Sequence, residues 1–366
     1  MWKKSLSFLL LVFALLFLVA CGGGDDSSDS SDSSSEDTST EEVSEDSSSS
    51  GGDSYTIQAA HVVSTEATQH DMYLKFKELV EEKSDGRITV DVYPDGQLGG
   101  EREMVENTQA GNLHITSPSV GVLANFSSAL EVFDFPFIFK DIDAVYNVFD
   151  GEVGQQLLDG LEESGLIGLG YSENGWRHLS NTEGEIVLPE DVEGLKLRTM
   201  EVPLHIAFWE HVGANPTPLP FTEVFNSLSQ GVVDGVENPF QLIYTGKFHE
   251  PSPYITTTGH IFDPEILVIN KDFFEGLSEE DQEIIQSSAD EAIAYLRELN
   301  VDLDEELRQN LEDEGAIIRD LSDEEHEAWV EASIPFYQEN VDEVDKEMLM
   351  NLLEAAGNDR ILDALQ

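Results

Sequence analysis

The chain has 366 residues, 40% of them apolar, with 18 Lys and Arg against 75 Asp and Glu and a formal charge of −57. At about 150 residues per domain, this length predicts two domains of ordinary globular composition. Such acidity excludes nucleic-acid binding through phosphate contacts, and a single cysteine excludes a disulfide framework and a CxxC metal or redox site.

Lys3 and Lys4 precede a nearly unbroken apolar run from Ser5 to Ala20. The run is short for a membrane span and has the layout of a secretory signal over residues 1–20. It ends Leu18-Val-Ala-Cys21-Gly22, which resembles the bacterial lipoprotein processing box. That resemblance implies cleavage before Cys21 and a lipid on the new N-terminus; an uncleaved anchor helix is the alternative. Residues 22–54 are Gly, Ser, Thr and acids, with Val43 the one large apolar side chain. Such a segment cannot bury enough surface to offset its ordering entropy, so residues 21–54 read as a lipid-anchored, extended tether. From Tyr55 onward the chain holds 64 acids and 16 bases, a charge of −48. A body with that charge repels itself in dilute buffer, whereas at about 1 M salt the Debye length falls to roughly 3 Å. A halophilic source is the expectation.

The run from Tyr55 to Val63 predicts a buried strand, with Ser64 or Thr65 capping a helix that places Met72, Phe76, Leu79 and Val80 on one face. Arg87 to Tyr93 alternates as a half-buried strand and stops at Pro94-Asp-Gly96. A short helix over Glu101–Ala110, a strand over Leu113–Thr116, and a mostly helical stretch from Asp141 to Glu163 broken near Gly151 follow. Leu166–Gly170 and Ile266–Ile269 read as short buried strands. Ser278-Glu-Glu-Asp281 is a capping box that opens a helix whose apolar spacing holds from Ile284 to Leu311, roughly 33 residues and about 50 Å. Ser322-Asp-Glu-Glu325 opens another helical stretch, and short amphipathic helices end the chain. The βαβ alternation predicts α/β domains with largely parallel sheets.

No GxSxG elbow, HExxH or phosphate-binding loop is present, and Gly165-Leu-Ile-Gly-Leu-Gly170 has the wrong spacing for a dinucleotide fingerprint. His205 and His211, six apart, point to different helix faces. The sequence therefore implies no catalytic residue, cofactor or metal. The arginines are more informative. Two of the eight, Arg177 and Arg198, lie in the stretch richest in Gly, Pro, Asn and aromatics. An arginine at a strand end either pairs with a local acid or presents its planar fork to an incoming carboxylate.

From Tyr55 to about Asn300 a series of blocks occurs in order: Ala60-His-Val62, Gly96-Gln-Leu-Gly-Gly-Glu-Arg102, Phe133-Asp-Phe-Pro-Phe137, Asn174-Gly-Trp-Arg177, Gly194-Leu-Lys-Leu-Arg198, Gly213-Ala-Asn-Pro-Thr-Pro218, Phe221-Thr-Glu-Val-Phe225 and Gln230-Gly-Val-Val-Asp-Gly-Val-Glu-Asn-Pro239. This pattern resembles the DctP-type solute-binding proteins of tripartite ATP-independent periplasmic (TRAP) transporters. Where that family commonly has Gln in the last block, this chain has Val236. The resemblance implies a two-lobed α/β periplasmic-binding-protein-like fold with the ligand cleft between lobes, joined by crossing strands and a long bracing helix. Residues 55–175 plus about 264–305 would form lobe I, and 176–263 plus about 306–366 lobe II and the C-terminal helices.

Carried over by position, Arg198 is the carboxylate clamp, Arg177 a second cationic contact, Asn238 a hydrogen-bonding residue and Phe221 a pocket wall. His61 is a polar contact from lobe I, and Glu101 and Ser119 read the far end of the ligand. Trp176 either stacks on the ligand or packs in the core. The implied function is capture of a small organic acid, a C4-dicarboxylate or similar, outside the cytoplasm and delivery to TRAP membrane subunits. A ligand-sensing module and a secreted enzyme acting on a carboxylate are the alternatives. Some members of the family pair through their C-terminal helices, so a homodimer stays open.

Overall fold

The computed structural model describes residues 53–366. The signal segment, Cys21 and all but the last two residues of the tether lie outside the described residues. Nine strands form one sheet: β1 (Tyr55–Ala60), β2 (Ile88–Tyr93), β3 (Ile115–Thr116), β4 (Leu166–Asn181), β5 (Lys196–Thr199), β6 (Asn215–Pro218), β7 (Gly235–Asn238), β8 (Tyr254–Asn270) and β9 (Ile317–Arg319). Their order is β2-β1-β3-β8-β4-β7-β5-β6, with β9 also on β8.

The expectation of largely parallel sheets is corrected to a mixed sheet. β1 runs parallel to β2 and β3, and β5 parallel to β6 and β7. Between these groups β4 and β8 pair antiparallel from Leu166–Asn270 to Asn181–Tyr254. The two short strands read from sequence are thus the apolar ends of strands of 16 and 17 residues. At about 3.3 Å per residue each spans roughly 50 Å. One end carries β3 through the Ile115–Ile269 pair, and the other carries β7 and β9. Two lobes are therefore joined by strands that cross from one to the other. The register shifts between Glu173 and Gly175, where Gly175 adopts φ +110°, a conformation open to glycine at little cost.

Helices Thr68–Lys83 and Glu279–Asn300 cover the β1–β3 end, packing Met72, Phe76 and Val80 with Ile285, Ala289, Ala292 and Leu296. Neither Ser64 nor Thr65 caps the first helix, whose N-cap is Ala67 without a side-chain bond. Ser278 does accept from Asp281 N, at 3.2 Å. The single long helix is interrupted: it ends at Asn300, Asp302 takes φ +65°, and a second helix, Leu303–Asp313, packs Leu307 and Leu311 against Phe248 and Ile255. The break takes the chain from one core to another, which an unbroken apolar spacing does not reveal. The block Phe133–Phe137 is core, with Phe135 stacked on Tyr337 at 4.6 Å and Tyr337 Oη donating to Pro136 O. Among the described residues no helix is long and apolar enough to cross a membrane.

Candidate functional site

Strand β5 lies inside the sheet, between β6 and β7, so both its edges are paired. Leu197 enters the large core, and Arg198 emerges on the other face, 2% exposed. Its Nε and Nη2 donate to the Leu219 carbonyl at 2.9 and 2.7 Å. Its Nη1 is buried without a partner, and no carboxylate among the described residues forms an ion pair with it. Burial, followed by the neighbouring charge of Arg177, pulls the guanidinium down to about 10, which still leaves it charged at neutral pH. A buried cation bonded to one carbonyl and to no anion is costly unless something anionic visits it.

Arg177, in β4, has the opposite standing. Its Nε and Nη2 hold the Glu237 carboxylate, Nη2 also reaches the Glu237 carbonyl, and Nη1 holds Asp263. Four of its five N–H groups are occupied by protein. Burial opposes ionisation of Glu237, yet Arg177 and His260 hold its carboxyl below the usual carboxylate range. Arg177, read from the sequence as a second cationic contact, is thus a cation largely neutralised by partners on β7 and β8.

Two adjoining cavities meet at Arg198. One, of about 280 Å³, is lined by Glu101, Arg198, Met200, Leu219, Phe221 and Thr222, among others. The other, of about 10 Å³, is lined by Glu101, Ser119, Asn174, Arg177, Arg198, Phe221, Asn238 and Glu265 together with Val62, Val63, Met200 and Leu242. The structure thus brings six sequence-selected residues together: Arg198, Arg177, Asn238, Phe221, Glu101 and Ser119. Asn238 ends β7, and its Oδ1 is buried without a donor. Glu101 opens the helix Glu101–Gln109, and its Oε1 accepts from Ser119 N at 3.0 Å. Burial, opposed by that N–H, pushes the Glu101 carboxyl up to about 7. Ser119 Oγ donates to Asp263. Glu265 is pushed well above its ordinary range by burial and then by Glu101 and Asp263.

Two selected residues stand apart. His61 lines neither cavity; its Nε2 bonds His70 Nδ1 at 3.0 Å and its ring lies 4.8 Å from Tyr73. Burial, then His70, lowers it to about 3, so it is neutral. Val62 and Val63, just beyond the strand end, face the cavity in its place. Trp176 lies on the opposite face of β4 from Arg177, in edge contact with Phe262 at 5.2 Å and lining a separate cavity of about 360 Å³. Successive strand residues point to opposite faces, which parts the two. Sequence reasoning missed Asn174, Asp263 and Glu265. They sit in the polar centres of β4 and β8, where no apolar alternation marks a strand. Asn174 Nδ2 donates to Asp263 at 3.0 Å and Asn174 Oδ1 accepts from Gln69.

The arrangement is a desolvated cleft with one uncompensated guanidinium, an aromatic wall and several hydrogen-bonding side chains, which suits a small anion. The family model for bacterial extracellular solute-binding proteins, family 7 (DctP), matches residues 59–343. The chain is 33% identical over 267 residues to the 2,3-diketo-L-gulonate-binding periplasmic protein YiaO of Escherichia coli, covering 73% of this chain and 81% of that protein. It is 33% identical over 294 residues to the C4-dicarboxylate-binding periplasmic protein DctP of Shewanella loihica, covering 80% of this chain and 87% of that protein. Its fold matches the crystal structure of the sugar acid binding protein DctPAm from Advenella mimigardefordensis in complex with galactonate. That match has a TM-score of 0.82 at 31% identity and covers 84% of this chain and 99% of that one.

Proposed function

The chain belongs to the family 7 (DctP) bacterial extracellular solute-binding proteins, and from that membership we propose that it captures a small organic acid through Arg198 and delivers it to TRAP membrane subunits. The observation that carries the reading is the buried Arg198 guanidinium, with Nη1 unpartnered and no protein anion beside it. A ligand carboxylate supplies both the missing acceptor and the missing charge, in short charge-assisted hydrogen bonds. Asn238 and Phe221 orient the carboxylate end, and Glu101 and Ser119 face the remainder of the ligand. Arg177 stiffens the wall through Glu237 and Asp263 and has one N–H left for the ligand.

The cavity draws on both lobes, Glu101 and Ser119 from one and Arg198, Phe221 and Asn238 from the other. Bound ligand therefore favours the closed cleft, the form in which all of these groups touch it. Lobe I comprises 55–175 plus about 264–305 in this reading, and lobe II 176–263 plus about 306–366. The relatives named above bind a sugar acid, a keto sugar acid or a C4-dicarboxylate, so the class taken here is a carboxylate of that size. Lipidation at Cys21 keeps the protein at the outer face of the membrane, with 22–54 as tether; Cys21→Ser would then release it into the medium.

Thermal-shift screening of a carboxylate library at molar salt tests the proposal, because a ligand that binds only the native state raises its melting temperature. Stabilisation by at least one carboxylate, without its turnover, is expected. Turnover of a stabilising compound would instead identify a secreted enzyme.

A further inference from the structure

We propose that this cleft selects a monocarboxylate whose remaining end carries hydrogen-bond donors, in preference to a dicarboxylate; the inference rests on the Arg198 clamp.

Two guanidiniums line the smaller cavity, but the charge of Arg177 is met by Glu237 and Asp263, so of these two Arg198 is the one without a protein anion. A ligand with two carboxylates therefore finds a partner for one of them. The second would lie beside Glu101 and Glu265, or in the adjoining larger cavity among Glu101, Glu103, Glu201 and Glu223, where the other cation, Arg102, already pairs with Glu106. At pH 8, above its raised value of about 7, Glu101 is mostly ionised, and like charges in a desolvated pocket repel strongly.

The same walls are rich in acceptors. Asn238 Oδ1 is 2% exposed at the residue level and has no donor. Glu101 accepts one backbone N–H on Oε1 and no other hydrogen bond from protein. Glu265 accepts from Ser117 Oγ at 3.2 Å. A buried acceptor left without a donor costs free energy that a ligand hydroxyl or ammonium recovers and a carboxylate, which only accepts, does not. Threonate and threonine share their four carbons with succinate, which separates the effect of donors from that of size.

Calorimetric titration of the purified protein at molar salt and pH 8 with threonate, threonine and succinate decides the matter. Threonate or threonine is expected to bind at least tenfold tighter than succinate, and the tighter of the two tells hydroxyl from ammonium donors. Glu101→Gln, checked for an unchanged circular dichroism spectrum, is expected to raise succinate affinity at least fivefold, because it removes a charge and keeps an acceptor. Succinate binding as tightly as the other two, with no response to Glu101→Gln, would overturn this inference and leave the Arg198 clamp standing. Failure of every carboxylate in the broader library to bind would overturn the clamp and this inference with it.

Discussion

Arg198 grips a single backbone carbonyl, that of Leu219, with two of its nitrogens at 2.9 and 2.7 Å. The carbonyl fixes the direction of the guanidinium plane without neutralising it. Arg198→Ala is therefore expected to weaken carboxylate binding by at least about 100-fold, or roughly 3 kcal/mol. The melting temperature of the unliganded protein should hold or rise, because an unpaired buried cation has been removed. Paired titrations and melts check both halves; retained micromolar affinity would contradict the clamp.

Arg177 predicts the opposite pattern. Its removal leaves Glu237 and Asp263 buried without their cation, 0% and 2% exposed. Arg177→Met is expected to cost about 3–5 kcal/mol of stability in urea unfolding. A loss under about 1 kcal/mol would mean that the two carboxylates do not depend on Arg177.

Glu101 gives the fold a pH dependence. Burial first, and Asp263 after the opposing Ser119 N–H, raise its carboxyl from 4.5 to about 7, while Arg198 and Arg177 pull it down. Between those values the folded protein holds a proton that the unfolded chain has released. The stability this contributes is full below about pH 4.5 and is lost as pH rises through about 7. Glu237, held below its usual range, acts in the reverse sense, its contribution lost only as pH falls through its lowered value. Urea midpoints from pH 5 to 8 should fall more steeply for the wild type than for Glu101→Gln. Parallel profiles would contradict the assignment.

Arg198 was marked in the sequence by its place after the alternation Leu195-Lys-Leu197 and by the family resemblance, while the residues alone left a pairing with a local acid open. The fate of Arg177 was not, since its partners stand 60 and 86 residues away and meet it only through the pairing of β4 with β7 and β8. The period of a strand does say that Trp176 and Arg177 cannot share a face. The long strands were hidden by their own function. Ser172-Glu-Asn174 and Asp263–Glu265 look like loop, yet they are buried where the crossing strands pass the cleft. The break at Asp302 was hidden for a different reason: the apolar spacing continues in phase across it while the chain passes from one core to another.

The charge of the body predicts salt dependence independently of the site. With 64 acids and 16 bases from Tyr55 onward, the unfolding midpoint should rise between about 0.1 and 1 M NaCl as the Debye length shortens from about 10 to 3 Å. Full stability in dilute buffer would count against a halophilic source.

The most direct test is a crystal structure of the protein with the carboxylate that stabilises it most. Arg198 Nη1 is expected within about 3 Å of a ligand carboxylate oxygen, with Leu219 still accepting from Nε. A ligand whose carboxylate rests elsewhere, with Arg198 turned outward or bonded only to protein, would contradict the account.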